Sequence, residues 1–521
     1  MEDEEPTRVA TRLLWLGLAL SLAAGIYLRI SVYGQSVVGD ELSTLWIVDN
    51  HSLGGTIDFV SGDGEISPPL FFAAAWLASK LGSAAELIRL PSLLAGAGSL
   101  VIYYVIGTRL FGRTAAIIAT CVASFSPILV YFSANGRSYS LMLFLLLASL
   151  LCLLLAADDG RKRWWVGYAL ASCLAMYTHY TAAFVLIAQL AWLFWANPEA
   201  RKPALISNVG AAALFLPWLP GYFADSDSPT IPILEALQGH GFEAKRIAVE
   251  QLLFWRIGSG EWSMAGRWDA VLISVALFAA LVVFAVRMKR RSAFSWRPSP
   301  ELVLLVLIAV ATPVGALILG VFSTDVFGGR NLAGSWVALP LLAGALLAAC
   351  GAVWGTVCTL AVIAGLAYTS VELTDRGNTE IPYKDTAAYI ESIAGPGDVV
   401  VNRAHLTPVP LTPLDAYLDP DLPGYRIGLP VSDPPFLPGS IEIPDPAEQL
   451  DQALDGHERA IFVTVGDQAA PFPGQTFEAD GIQATIPRNW KVGSIHIEDG
   501  IYPVTVTVLE RSQPEGRGKE Q

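Results

Sequence analysis

The chain runs again and again through stretches of about 20 residues with almost no charge, and that feature decides its fold class. A hydrocarbon core about 30 Å thick takes about 20 residues of helix to cross, and it offers no water to satisfy an open backbone. Such stretches therefore span as helices. Barrel strands would alternate apolar and polar residues over shorter segments, which these do not. The composition fits: 53% of the 521 residues are hydrophobic, 15% are charged, and mean hydropathy is +0.49. The expected fold class is a polytopic α-helical membrane protein.

Eleven crossings are expected, at roughly residues 13–33, 87–108, 114–132, 138–157, 163–179, 181–196, 203–221, 268–287, 301–322, 333–349 and 351–370. The first follows "MEDEEPTRVATR", whose acids are unlike the basic start of a cleavable signal, so it reads as a retained anchor. All five cysteines fall in apolar spans, as packing residues. Basic residues gather at alternate ends of the spans: Arg8 and Arg12, Arg109 and Arg113, Arg161 to Arg163, Arg201 and Lys202, Arg287 to Arg291. The positive-inside rule makes these ends, and the N-terminus, cytoplasmic. The segment "PPLFFAAAWLASKLG" is only about 13 residues long, and a crossing there would turn every later basic loop outward. It reads as an interfacial helix within an outer loop, residues 33–86. Short inter-span loops and the absence of aqueous cysteines point to a prokaryotic plasma membrane.

Composition changes at Val371. From there to the end stand 24 Asp and Glu against 10 Lys and Arg, and before it 23 of each sign, so the whole net charge of −14 belongs to this part. Without a basic footprint, a nucleic-acid partner is excluded. "YKDTAAYIESIAGPGDVVVN" reads as helix, Gly-Pro-Gly turn and buried strand; "AIFVTV" and "YPVTVTVLE" read as further strands. Residues 1–370 thus form the membrane domain, 371–511 an extracytoplasmic α/β domain, and 512–521 a disordered tail.

The polar residues that border or interrupt the spans mostly collect on the outer face: Asp40, Glu41, Asp63, Glu65, Arg89, Arg137, Tyr139, His179, Glu250 and Arg330. Ionisable groups at such depth are functional candidates, because burying them is costly. Each also has a plain structural reading. Asp40 and Glu41 suit a helix cap, Glu65 a glycine-rich turn, Arg89 and Arg330 snorkelling anchors, and His179 a hydrogen-bonded packing histidine. Glu250 suits a solvated helix face, and Tyr139, Trp46, Trp255 and Trp262 an aromatic belt.

The order of these pieces is more specific than any one of them. Asp-Glu after the first span, Pro-Pro-Leu, "AAELIRLPSLLAG" and "LFGRTAAIIATCVASFSPILVYFSANGRSYSLM" resemble the GT-C superfamily of glycosyltransferases. The pattern is similar to its family-39-like members, which include protein O-mannosyltransferases and the lipid A aminoarabinose transferase. It covers about residues 35–180 and continues through "DVFGGRNLAGSWVALPLL". The resemblance implies an enzyme, inverting in mechanism, that moves a sugar from a polyprenyl-phosphate carrier in the membrane lipid to an acceptor glycan, lipid or protein on the outer face. It implies Asp40 as general base with Glu41 as its companion acid, and Arg137 and Tyr139 as an Arg-x-Tyr in the second outer turn. It also implies Arg330 as the basic residue facing the carrier phosphate. Where relatives carry an acid or histidine just before Pro-Pro, this chain has "EISPP", with Glu65 displaced.

The chemistry asks for such groups. Transfer to a hydroxyl builds positive charge on the anomeric carbon and negative charge on the leaving phosphate. A carboxylate opposite the leaving group can take the acceptor proton, and a like-charged neighbour tunes it toward that task. Arginines suit the phosphate: Arg137 and Arg330 first, then Arg89 and Lys80. Tyr139 and Glu65 fall to substrate binding. The cations come with or without a metal, and Glu65 with His179, joined by Asp40, would make a divalent-metal set. A transporter or lipid-linked sugar flippase would use the same charges to line a path. It would also show paired repeats, and none is visible here. A scaffold with a degenerate site would lack a residue like Asp40.

Overall fold

In the computed structural model the described residues are mainly helical as far as residue 374 and mixed α/β beyond it. The structure describes residues 8–62, 65–226, 228, 231, 241–254, 263–290, 298–322, 325–403, 411–419, 421, 422, 424–427, 446–466, 473, 474, 476–479 and 482–512. Two compact units emerge: Met1–Tyr33 with Ile47–Thr374, and Gly34–Trp46 with Asp375–Gln521. The boundary near 371 moves a few residues on, because helix Ala352–Glu372 completes its last turn first. The tail expected to be disordered lies, from residue 513, outside the described residues.

In the first unit, among the described residues, seven helices are long and apolar enough to cross a bilayer: Trp15–Tyr33, Ala84–Phe111, Tyr139–Asp159, Pro198–Asp225, Trp268–Arg290, Pro300–Phe322 and Ala352–Glu372. Two bent pairs raise this to as many as nine: Arg113–Phe125 with Pro127–Ala134, bent by 58°, and Gly329–Val337 with Leu339–Ala349, bent by 51°. The other two of the eleven expected crossings are the 15-residue helices Lys162–Met176 and Ala182–Ala196. Each reaches roughly 22 Å, short of a bilayer core. The segment after Pro68-Pro69 forms the 10-residue helix Leu70–Ser79, shorter still.

The bend at Pro127 shows how an irregular backbone is tolerated at this depth. Pro127 has no N–H, Ser126 is extended, and the last carbonyls of helix Arg113–Phe125 lose their helical donors. Arg29 replaces them. Its side chain is 1% exposed. Nη2 donates to the Ala123 carbonyl at 3.1 Å, Nη1 to those of Ser124 and Gly25 at 3.0 and 2.8 Å, and Nε to Ser133 Oγ at 3.1 Å. Helix Tyr139–Asp159 is the most enclosed of the long spans. From it Ser149 donates to Gln189 Oε1 at 3.0 Å and meets Ser172 Oγ at 3.0 Å, tying three helices together by buried hydrogen bonds.

The second unit is built on a five-stranded sheet, with strands β1 (Val399–Arg403), β2 (Gly424–Ile427), β3 (Arg459–Val465), β6 (Trp490–Glu498) and β7 (Val504–Arg511). A separate hairpin holds β4 (Thr476–Ala479) and β5 (Ile482–Thr485). The sheet order is β2-β1-β3-β7-β6, with β1 parallel to β2 and β3, and β7 antiparallel to β3 and β6. Alternation along the strands sorts side chains onto two faces. Val400, Ile461 and Val463 pack with Tyr383, Ala387 and Ile390 of helix Tyr383–Ile393, whereas Val399, Val401, Ala460 and Phe462 pack with Leu450 and Leu454 of helix Pro446–Leu454. This accounts for strands that read as continuous apolar runs: both faces of β1 and β3 are covered.

Candidate functional site

Within the membrane unit the sequence-picked residues converge around one ion pair. Arg137 stands in the turn between helices Pro127–Ala134 and Tyr139–Asp159. Its carbonyl accepts from Ser92 Oγ at 3.0 Å, and Ser140 Oγ donates to the Ser92 carbonyl at 2.9 Å, pinning the turn to helix Leu90–Phe111. The guanidinium grips Glu65 with both ends, Nη1 to Oε2 at 3.0 Å and Nη2 to Oε1 at 3.1 Å. Their side chains are 12% and 7% exposed. Phe72 lies beneath the guanidinium, with its ring centroid 5.8 Å away. A fork-on-fork pair this enclosed is oriented as well as held.

Tyr139, next along the helix, stacks on Phe132 at 4.8 Å and meets the ring of His179 at 5.3 Å. His179 sits in the turn 177–181, between helices. Its Nδ1 accepts from the Thr181 N–H at 3.3 Å and lies 2.9 Å from Thr181 Oγ1. An accepting Nδ1 carries no proton, which assigns the proton to Nε2. Burial, and behind it the charges of Arg137 and Arg330, push His179 down to about 3, so it is neutral at ordinary pH. Arg330 lies in the 3-10 helix Gly329–Val337, where Asn331 Nδ2 donates to the Val326 carbonyl at 3.0 Å and Thr312 Oγ1 to that of Leu332 at 3.1 Å. The two residues that follow Arg330 are thus held in place.

Other candidates are placed elsewhere. Arg89, 4% exposed, donates to the Tyr33 carbonyl at 2.8 Å and so caps the end of the first helix, a role that the phosphate reading did not foresee. Glu250 pairs with Arg246 one turn away on its helix. Lys80 covers the Trp76 ring at 4.7 Å. Asp63, Trp255 and Trp262 lie outside the described residues. The Glu65–His179 metal set is not assembled: Arg137 takes both Glu65 oxygens and Thr181 takes His179 Nδ1. Among the described residues, no group of three or more His, Cys, Asp or Glu comes together to hold a metal.

Sequence reading missed Asp225. It is 3% exposed, accepts from the Tyr180 hydroxyl, and lies within electrostatic range of Glu65. Trp218 Nε1 in turn donates to Tyr180 at 2.9 Å. The signal was present: like Asp40, Asp225 is an acid a few residues beyond an apolar run, in "GYFADSDSP".

Asp40 and Glu41 belong to the second unit. Gly39, at φ +60°, turns the chain into helix Asp40–Asn50, and the two acids occupy its first turn. The helix dipole favours carboxylates there. Asp40 is exposed and Glu41 is 3% exposed, so the adjacent acids meet different surroundings.

Residues 67–220, which include Arg137, Tyr139 and His179, match the family described as dolichyl-phosphate-mannose-protein mannosyltransferase. ArnT from Cupriavidus metallidurans, in its structure bound to undecaprenyl phosphate, superposes with a TM-score of 0.52 at 14% identity, over 96% of this chain and 98% of that one. YkcB of Bacillus subtilis (strain 168), whose mannosyltransferase name is itself provisional, is 30% identical over 135 residues. That match spans 25% of this chain and 19% of the relative's length. The chain thus shares its fold with ArnT, and its segment 67–220 matches the mannosyltransferase family's model.

Proposed function

We propose that the protein is a glycosyltransferase of the extracytoplasmic face of the plasma membrane, transferring a sugar from a polyprenyl phosphate to an acceptor hydroxyl. The observation that carries this reading is the set of Arg137, Tyr139 and His179, inside the family-matched segment, around buried Glu65 beside it, with Arg330 from later in the chain in electrostatic reach of His179. The acceptor oxygen attacks the anomeric carbon as the bond to the phosphate oxygen breaks, inverting that carbon. Asp40 takes the hydroxyl proton, and the lipid phosphate leaves as an anion. Arg137 and Arg330 stabilise that anion, each charge worth several kcal/mol in a water-poor setting. Tyr139 offers a ring for the sugar to lie against. Neutral His179 serves as a hydrogen-bond group rather than as a third cation.

The test is turnover of purified protein in lipid with radiolabelled polyprenyl-phosphate sugars and a membrane extract as acceptor. Asp40→Asn is expected to abolish labelled product while the protein still inserts and folds. Full turnover in that variant removes Asp40 as the base. Donor that crosses the bilayer unconsumed turns the reading to a flippase.

A further inference from the structure

The stretch that leads into the acidic pair is held by side chains from more than 340 positions away. Glu380 Oε1 accepts two hydrogen bonds from Ser36, one from its backbone N–H at 2.7 Å and one from its Oγ at 2.8 Å. Ser36 Oγ in turn accepts from the Lys384 N–H at 3.2 Å. The next N–H, that of Val37, donates to the Tyr417 hydroxyl at 2.8 Å, and Gln35 Nε2 donates to Thr379 Oγ1 at 3.1 Å. Ser36 and Glu380 are each 4% exposed, and Val37 is fully buried. Glu380 is itself anchored: Arg376 Nε lies 3.4 Å from its other carboxylate oxygen, and its carbonyl accepts from the Ile501 N–H at 3.0 Å. Two residues past Val37, Gly39 makes its left-handed turn and the helix of Asp40 begins.

A loop that only linked two membrane helices would leave these backbone donors to water. Here consecutive N–H groups meet a carboxylate and a phenol built into the C-terminal sheet unit. The carboxylate bonds are charge-assisted and directional. We infer that the C-terminal unit is a positioning device for the reaction: Glu380, with Tyr417, clasps residues 35–37 and thereby fixes where the helix of Asp40 starts. Glu380 touches no reacting atom. It acts through the two residues, Val38 and Gly39, that separate Val37 from Asp40. The inference rests on Asp40 acting as base, and the experiment separates the two.

Glu380→Ala, Glu380→Gln, Tyr417→Phe and Asp40→Asn are compared with wild type in lipid nanodiscs, by donor-concentration series and by hydrogen exchange of the peptides covering 34–46, 399–403 and 459–465. Glu380→Ala is expected to lower kcat about 10- to 100-fold with little change in KM for the donor, the signature of a misplaced reacting group. Exchange should rise in 34–46 and stay unchanged in the two sheet peptides. Glu380→Gln keeps an acceptor oxygen for both Ser36 bonds and should recover much of the rate; Tyr417→Phe should show a milder form of both changes. Were Glu380→Ala to fail to fold, these two gentler variants would give the same comparison. Wild-type kcat in a variant with raised exchange in 34–46, or lowered kcat with exchange unchanged there, overturns the clasp while an inactive Asp40→Asn leaves the base in place. An active Asp40→Asn overturns the base itself, and the positioning role with it.

Discussion

At the scale of single residues, the pair of Glu65 and Arg137 is where energy and function can be told apart. Removing one partner of a buried ion pair strands the other charge, at a cost of about 3–5 kcal/mol. Replacing both with apolar side chains of similar size is often neutral. Glu65→Gln should therefore lower the thermal midpoint in detergent sharply, and Glu65→Leu with Arg137→Met should restore it. Turnover should not return in the double variant, because the leaving phosphate has lost a cation. A double variant that is both stable and active would show Arg137 to be structural. The sequence made Arg137 and Tyr139 visible through the ordered pattern "NGRSYS", but not what Glu65 does. Its partner lies 72 positions away, and no local spacing encodes a contact of that range. Asp225 escaped for a different reason: one acid beyond one span is a common event, and only its burial beside Tyr180 distinguishes it.

At the scale of elements, the bend at Pro127 depends on an arginine from another helix. Arg29→Met would leave the Ala123 and Ser124 carbonyls without their donor where no water can replace it, costing several kcal/mol. Arg29→Lys keeps the charge but not the planar fork that reaches separate carbonyls and Ser133 together. The expected outcome is a lower thermal midpoint and a lower yield of folded protein for Met, with Lys between Met and wild type, read by melting in detergent. Equal midpoints for all three would mean that the bend holds without Arg29. The apolar runs made the long helices legible, because composition alone sets them. The break inside the run 114–132 was not read, although "FSPIL" carried the proline that makes it. In the C-terminal unit, β1, β3 and β7 were legible as apolar runs, whereas β6, half exposed and interrupted by Gly493, lacks that signal.

At the scale of the whole molecule, the grouping of Gly34–Trp46 with Asp375–Gln521 constrains the path through the membrane. Two segments of one compact unit lie on the same side of a bilayer, so the chain between them must cross an even number of times. The seven long helices leave six crossings after the first span, and both bent pairs together make eight. The two 15-residue helices, counted together, would make ten, as in the eleven-span reading. Each number is even, whereas counting one bent pair or one short helix alone would not be. Of these four elements, the two bent pairs and the two short helices, an even number must therefore cross. With the basic ends cytoplasmic, the loop after Asn50 and the C-terminal unit should both be outside. Phosphatase reporters, active only outside the membrane, test this when inserted in loop 51–52, at Arg201 and after Ser512. The first and third should be active and the second silent. Activity on opposite sides for the first and third would mean that one of the counted elements does not span. It would also break the compact unit that carries Asp40, and with it the clasp by Glu380.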